Sequence, residues 1–202
     1  PVRSIPREAH LNCRESGSTL RFLLPIVGAL GVKASIKMEG GLPRRPLAPL
    51  WEEMQRMGCK LSRPAEDTIL CEGRLLPGAY SIAGDISSQF ISGLLFAGAL
   101  IPGLTKITVT GKLESKPYVD MTYQVMSVFG IDASSCSFRD PCHFHTPGQI
   151  TVEGDWSNAA FFWVANSLGC KINIQGLNKQ SAQGDCSVMM LASALKQHRT
   201  IS

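Results

Sequence analysis

The sequence lacks both a long apolar run and a concentrated basic region, and each absence argues against a class of protein. A membrane-spanning helix needs about 20 largely apolar residues, and the apolar stretch from Phe22 to Leu30 is too short. The N-terminal residues PVRSIPREAH also lack the apolar centre of a signal peptide. Lys and Arg are scattered and the net charge is only +4, so we expect neither a membrane nor a nucleic acid as partner. Small anionic substrates, which need only a few well-placed cations, are a better match.

Cysteine is present, but in no pattern that predicts a disulfide framework or a zinc site. The seven cysteines are an odd number and several lie in apolar segments, which favours reduced thiols in a cytoplasmic protein. Cys142, His143 and His145 do not have the spacing of zinc ligands. Because Pro141 and Pro147 flank them, we expect a surface loop and no metal site.

A repeat is the most informative feature of the sequence. Segments beginning at Glu15, Asp85 and Asp155 align without gaps and are 70 residues apart. Each has an acidic residue, then Ser, Gly or Asn, then about a dozen mostly apolar residues. Ser and Asp here are N-cap residues, and the apolar stretches predict buried helices.

The residues around these helices predict a βαβαββ repeat unit. A short alternating strand precedes the second and third helices, at residues 79–85 and 149–155. After each helix comes a strand that ends in glycine, at Gly40, Gly111 and Gly176. A polar corner, a second helix and two short strands complete the unit. In the first copy, this second helix follows Pro46 and buries Leu47, Leu50, Met54 and Met57. The fold class is therefore α/β, with two units in a first domain (1–148) and the start of a second domain (149–202).

Helix N-termini in such repeats are candidate anion sites, because their backbone N–H groups are unpaired. Gly17 would allow a ligand close to the backbone, although a tight turn explains it equally well. Arg21 lies one turn further along the same helix. Arg45, at the mouth of the second helix, could hold a phosphate or carboxylate.

The corresponding positions of the next copy are also polar. Ser87, Ser88 and Gln89 begin its first helix, and a capping serine alone would not require all three. Ser115 and Tyr118 stand at its second corner, SKPY. In the third copy, Asp185 replaces these groups and could accept a proton from a substrate hydroxyl or cap the next helix.

Five segments resemble, in the correct order, motifs of the enolpyruvyl transferase family, and of its shikimate-pathway members in particular. They are NCRESGSTLRFLLP, GGLPRRPL, GDISSQF, LESKPYVDMT and SAQGDCS. The resemblance implies two domains of βαβαββ units, an inside-out α/β barrel, closing around phosphoenolpyruvate and shikimate 3-phosphate. The implied reaction transfers the enolpyruvyl group to the 5-hydroxyl and releases phosphate, in aromatic amino acid biosynthesis. It implies a cytoplasmic monomer with no metal or organic cofactor.

The same resemblance implies roles for individual residues. Gly17, Arg45 and Gln89 would contact phosphoenolpyruvate, and Gly17 would lie where the inhibitor glyphosate binds. Asp185 would accept the proton of the attacking hydroxyl. The residues implied to hold shikimate 3-phosphate are Ser87, Ser88, Gln89, Ser115, Tyr118 and Asp185.

The resemblance covers only the middle of the family's sequence. The family's N-terminal Lys-Ser segment and several downstream basic residues have no counterpart here, so we expect negligible turnover from these 202 residues alone. Two alternatives stay open. One is the family's UDP-N-acetylglucosamine enolpyruvyl transferase, which carries a cysteine in the loop before the Arg-Pro corner, where GGLPRRP has none. The other is a non-catalytic anion-binding fragment.

Overall fold

The first copy of the repeat has the predicted order of elements in the computed structural model, which describes residues 4–139 and 141–196. Its strands and helices are β1 (Glu8–Asn12), α1 (Gly17–Leu30), β2 (Lys33–Lys37), α2 (Leu50–Arg56), β3 (Cys59–Ala65) and β4 (Thr68–Gly73). β1 and β2 are parallel, whereas β4 is antiparallel to both β2 and β3, so the sheet order is β1-β2-β4-β3. The βαβαββ prediction is confirmed for this copy.

The second copy repeats this order but has a shorter ending. Its elements are β5 (Gly78–Ala83), α3 (Ser88–Gly98), β6 (Thr105–Thr110), α4 (Lys116–Val128) and β7 (Ser137–Phe138). β5 is parallel to β6, and β7 is antiparallel to β6. Thr105 and Ile107 are buried on one face of β6, and α3 packs against this strand. A single two-residue strand therefore stands where two were predicted in the described part of this copy.

The two first helices, α1 and α3, pack directly against each other. At their closest approach, the α-carbon of Gly93 lies on the carbonyl oxygen of Arg21, and any side chain at this position would collide with it. Pro25 lies four residues after Arg21 within α1, and it has no N–H that could bond to this carbonyl. The carbonyl is therefore open to Gly93. α3 is buried nearly all round, as its apolar sequence predicted.

The second helix of the first copy starts later than predicted, and this changes the setting of Arg45. Arg45 follows a short 3-10 turn, Leu42–Arg44, and is extended, with φ −72° and ψ 132°. A residue before proline avoids the helical conformation, and both Arg45 and Ala48 precede prolines. Arg45 therefore lies in an extended segment ahead of α2, and not at its N-terminus. The four apolar residues predicted to be buried here, Leu47, Leu50, Met54 and Met57, are all buried.

The chain divides into two compact units, Pro1–His145 and Thr146–Ser202. The domain division proposed after residue 148 stays a prediction. The second unit contains α5 (Trp156–Ser167) and α6 (Val188–Lys196), but its predicted strands at residues 149–155 and 170–176 are irregular. The Gly154 N–H donates to the Gly176 carbonyl at 2.8 Å. Because an isolated pair of strands is marginally stable in water, regular strands do not form here, and this prediction is wrong.

The prediction of a buried first helix is also wrong for α5. Trp156 and Ala159 are its buried residues, whereas Phe161, Phe162 and Val164 are exposed. Within its unit, α5 packs mainly on α6 and on the 3-10 turn Gly184–Ser187. These neighbours cover one side of a helix that is apolar on all sides.

Two further expectations concern the thiols and the membrane. The seven cysteines are joined by no disulfide bond within the described residues. None of the helices described is long and apolar enough to cross a bilayer.

Candidate functional site

The turn that begins α1 brings a glycine next to two arginines. Ser16 is the N-cap, and its hydroxyl accepts a hydrogen bond from the Thr19 N–H at 3.2 Å. A methyl group on the next residue, Gly17, would lie 3.2 Å from Nη1 of Arg45 and 3.4 Å from Nη1 of Arg21. The missing side chain of Gly17 therefore leaves room for both guanidinium groups at the helix start.

Arg21 is held in place by contacts with two other segments. Its Nη1 donates to Oε1 of Gln89 at 2.7 Å, and its Nη2 donates to the Pro46 carbonyl at 3.4 Å. Its guanidinium also stacks over the Phe90 ring, 5.2 Å from the centroid, a favourable cation–π contact. Arg21 thus connects the start of α1 with the start of α3 and with the segment that carries Arg45.

Arg21 and Arg45 form a pair of neighbouring positive charges. Neither forms an ion pair with a carboxylate within residues 4–139 and 141–196. Burial, and then the charge of Arg45, lower the pKa of Arg21. The Arg21 Nε is buried without a hydrogen-bond partner among these residues. Arg21 is partly buried and Arg45 is exposed. Two neighbouring cations repel each other unless an anion binds between them, and guanidinium groups bind phosphate and carboxylate well.

A cavity of about 770 Å³ lies next to these arginines, at the starts of α3 and α4. Arg21 lines it, which connects it to the arginine pair. Every residue of the first unit that was predicted to hold shikimate 3-phosphate also lines this cavity: Ser87, Ser88, Gln89, Ser115 and Tyr118. The structure therefore brings these five residues together. Gln89 both lines the cavity and accepts the hydrogen bond from Arg21.

The two helix starts at the cavity are capped differently. The Ser87 hydroxyl caps α3 by accepting a hydrogen bond from the Gln89 N–H at 3.3 Å. Ser115 occupies the N-cap position of α4, but its side chain makes no capping hydrogen bond. Ser88 is buried, whereas Tyr118 is 45% exposed. Backbone N–H groups of a first helical turn attract anions, so an anion can be bound at two helix starts at once.

Part of the cavity wall was not foreseen in the sequence. The rings of Phe22 and Phe96 pack edge to face, 5.6 Å apart, and form an apolar side of the cavity. Ser92 and Thr122 also line it. A signal for Ser92 did exist, because it is a polar residue one helical turn after Ser88 in an otherwise apolar helix.

Asp185 belongs to the second unit, where it lies in the 3-10 turn Gly184–Ser187. Its Oδ2 accepts a hydrogen bond from the Ser157 hydroxyl at 2.5 Å. Ser157 is in the first turn of α5, so the carboxylate is held at the start of that helix. Asp185 itself is inside the turn, and the N-cap position is taken by Gln183. The alternative role as an N-cap is therefore not what the structure shows.

Gln183 fixes the segment that carries Asp185. Its Oε1 accepts a hydrogen bond from the Trp156 N–H at 2.8 Å, and its Nε2 donates to Glu153 and to the Gly154 carbonyl, both at 2.9 Å. Hydrogen bonds from Ser181, then from Gln183, lower the pKa of the partly buried Glu153 carboxylate. These bonds tie the turn to the chain that leads into α5.

Metal ligation has little support in the described part of the chain. No group of three or more His, Cys, Asp or Glu side chains there is placed to hold a metal ion. Cys142, His143 and His145 lie in an irregular segment.

Comparisons with known proteins give a consistent result. The family model described as EPSP synthase (3-phosphoshikimate 1-carboxyvinyltransferase) matches residues 2–197. A 3-phosphoshikimate 1-carboxyvinyltransferase from Clostridium botulinum (strain Eklund 17B / Type B) is 40% identical over 195 residues, covering 93% of this chain and 44% of the relative. One from Brachyspira hyodysenteriae is 35% identical, covering 94% of this chain and 46% of the relative.

A solved structure agrees at the level of the fold. EPSP synthase from Acinetobacter baumannii superposes with a TM-score of 0.58 at 22% identity, over 78% of this chain and 36% of that protein. The predicted α/β fold, of the enolpyruvyl transferase type, is confirmed. The chain spans under half the length of the curated relatives it matches.

Proposed function

The chain belongs to the EPSP synthase family, and on this basis we propose that it carries part of the active site for enolpyruvyl transfer. The reaction moves the enolpyruvyl group of phosphoenolpyruvate to the 5-hydroxyl of shikimate 3-phosphate and releases phosphate. The proposal depends on one observation: Arg21 and Arg45, which have no ion-pair partner among the described residues, lie in the same unit as a cavity lined by Ser87, Ser88 and Ser115. This arrangement suits two phosphorylated substrates bound side by side.

Phosphoenolpyruvate is assigned to the arginine pair. Arg45 would bind an anionic group of the substrate, and Gly17 would let it approach the start of α1. Gln89 accepts a hydrogen bond from Arg21 at 2.7 Å, so its amide is already oriented beside this position. Such fixed cations stabilise the negative charge that develops during addition and loss of phosphate, without reorganising. Glyphosate would compete for the same place.

Shikimate 3-phosphate is assigned to the cavity. Its phosphate would accept hydrogen bonds from Ser87, Ser88 and Ser115, at the two helix starts. The half-exposed Tyr118 ring would contact the carbon ring of the substrate, together with the apolar wall. A polar end and an apolar side match a ligand with a phosphate on a carbocycle.

Asp185 is proposed as the group that removes the proton from the 5-hydroxyl. The oxygen then adds to C2 of phosphoenolpyruvate while C3 gains a proton, and the tetrahedral intermediate then loses phosphate together with a proton from C3, which restores the C2–C3 double bond. In its own unit, the Asp185 carboxylate is oriented by the Ser157 hydroxyl at 2.5 Å. A fixed carboxylate can act as a general base when it reaches the proton it abstracts. We further propose that the full-length enzyme is a cytoplasmic monomer that needs no metal or organic cofactor.

The limited length of the match makes a second function worth testing. Because the chain spans 44% of the relative from Clostridium botulinum, these 202 residues alone could bind shikimate 3-phosphate without turning it over. The competing enzymatic assignment is UDP-N-acetylglucosamine enolpyruvyl transferase, another enolpyruvyl transferase.

Calorimetric titration of the 202-residue chain tests the proposal. We expect shikimate 3-phosphate to bind more tightly than UDP-N-acetylglucosamine. Because hydrogen bonds to charged groups are strong, Ser115→Ala should weaken this binding about tenfold. Ser127→Ala is the matched control, since Ser127 is exposed on the same helix. Phosphate release from the two substrates should be negligible.

Three outcomes would count against parts of the proposal. Stronger binding of the UDP-sugar would favour the competing enzyme. Equal binding of inorganic phosphate and shikimate 3-phosphate would favour a non-specific anion-binding fragment. Phosphate release as fast as that of an intact enzyme would refute the expected inactivity of the chain alone.

A further inference from the structure

A buried pair of hydroxyl groups joins α3 to α4 inside the cavity. Ser92 Oγ and Thr122 Oγ1 are 2.6 Å apart. Thr122 Oγ1 also donates to the Tyr118 carbonyl at 3.1 Å, so Ser92 is the donor in the bond between the two hydroxyls. Ser92 is 2% exposed and Thr122 is 7% exposed. Both hydroxyls are satisfied within the protein, and neither is placed to bind a ligand through its own proton.

Each of these residues lies one helical turn after a residue assigned to shikimate 3-phosphate. Ser92 follows Ser88 by four positions, and Thr122 follows Tyr118 by four positions, so each pair shares one face of its helix. The bond from Thr122 to the Tyr118 carbonyl anchors the first turn of α4 directly. A change in the separation of Ser92 and Thr122 would therefore move the two helix starts relative to each other.

A different side of α3 is fixed by the neighbouring residue, Gly93. Gly93 packs on the Arg21 carbonyl of α1, and one turn earlier Gln89 accepts the hydrogen bond from Arg21. Adjacent residues of α3 thus control two different spacings. Gly93 sets the spacing to α1 and the arginine pair, and Ser92 sets the spacing to α4 and Ser115.

We propose that Ser92 and Thr122 are positioning residues that set the distance between the starts of α3 and α4 for binding of shikimate 3-phosphate. The inference rests on the proposed function, because it concerns how the same cavity recognises that substrate. Neither residue touches the substrate in this account. A misplacement of about 1 Å in a preorganised site can reduce its function about a hundredfold, so the spacing of two helix starts is a sensitive variable.

Thr122→Val tests the proposal, because valine has nearly the same shape and removes both hydrogen bonds of Thr122. We expect the Kd for shikimate 3-phosphate to rise about tenfold, while the Kd for phosphoenolpyruvate stays close to that of the wild type. Thr122→Ser keeps the hydroxyl and should restore tight binding. Ser127→Ala, on the exposed side of α4, should have no effect. The measurement is calorimetric titration of the 202-residue chain with each ligand.

A second measurement needs no ligand and separates this inference from the proposed function. In 15N–1H correlation spectra of the free chain, Thr122→Val should shift the amide signals of Ser88, Gln89 and Lys116. Unchanged signals at these helix starts would overturn the positioning role, whether or not the wild type binds shikimate 3-phosphate. If these signals shift but the chain does not bind shikimate 3-phosphate, the result contradicts the proposed function and leaves the positioning role intact. Equal weakening of both ligands by Thr122→Val would indicate a general structural role and would also overturn the inference.

Discussion

The role of Gly17 depends on its lack of a side chain. Its α-carbon lies against the guanidinium groups of Arg21 and Arg45, which approach from different segments. A methyl group at this position would be tight against both, at 3.4 and 3.2 Å, so the arginines would have to move by a few tenths of an ångström.

We therefore predict that Gly17→Ala weakens binding of phosphoenolpyruvate about tenfold and leaves binding of shikimate 3-phosphate nearly unchanged. The fold should not suffer, since alanine favours a helix by about 1 kcal/mol over glycine. The measurements are the Kd values of the two ligands and the melting temperature. Gly41→Ala is the matched control, because no atom lies within 4 Å of the added methyl group. Equal effects of the two substitutions would contradict this account of Gly17.

Residue types at the helix starts were predictable from sequence, but their partners were not. The motif ESGST selected Gly17, and the segment ISSQF selected Gln89. The hydrogen bond from Arg21 to Gln89 spans 68 positions in the chain. It depends on the close approach of two helices at Gly93, which no local pattern reveals. Arg45 was predicted at the mouth of the second helix, but Pro46 and Pro49 keep the preceding residues out of the helical conformation, so α2 begins only at Leu50.

At the scale of elements, Glu53 joins the second helix of one copy to the first strand of the next. Its Oε1 accepts hydrogen bonds from the Ser81 N–H of β5 at 2.5 Å and from Arg56 at 2.7 Å. Arg56 also donates to the Ala79 carbonyl at 2.6 Å. Burial raises the pKa of Glu53, but the hydrogen bonds from Arg56 and Ser81 outweigh it, so the pKa is lowered.

This contact makes a pH-dependent contribution to stability. Because the pKa of Glu53 is lower in the folded chain than in the unfolded one, its contribution is complete above about pH 4.3 and is lost as the pH falls through the folded pKa. Glu53→Gln should reduce the free energy of unfolding by about 1–3 kcal/mol at neutral pH, and the difference should shrink in acid. Urea unfolding of both proteins, from neutral pH to below about pH 4.3, measures this difference.

The control for Glu53 lies next to it on the same helix. Glu52 is exposed, so Glu52→Gln should change the free energy of unfolding little, both at neutral pH and in acid. A loss of stability from Glu53→Gln that did not depend on pH would show that the ionised carboxylate is not the stabilising form.

Element order was largely predictable because hydrophobic periodicity reflects burial. The glycines predicted to end strands, Gly40, Gly111 and Gly176, all have left-handed φ values between 57° and 80°. The repeated helices begin at Gly17, Ser88 and Trp156, directly after the N-caps Ser16, Ser87 and Asp155. The spacing of these starts therefore differs slightly from 70 residues. The strands predicted in the third copy do not form, because strand formation depends on neighbouring strands as well as on local sequence.

At the scale of the molecule, repetition provides the geometry of the site. Two successive copies place the starts of α1, α3 and α4 around the arginine pair and the cavity, because α3 packs on both other helices. The sequence predicted that several helix starts would meet, since equivalent positions in a repeat occupy equivalent places. It could not predict the cavity's apolar wall, because Phe22 and Phe96 belong to different copies and meet only through packing.

The most direct measurement is a 15N–1H correlation titration of the 202-residue chain with shikimate 3-phosphate, with inorganic phosphate as the control. We expect the largest shifts at the amides of Ser87, Ser88, Gln89 and Lys116, and weaker changes at lower affinity with inorganic phosphate. Changes confined to residues outside the cavity, or no saturable change at all, would contradict the claim that these helix starts form one binding site.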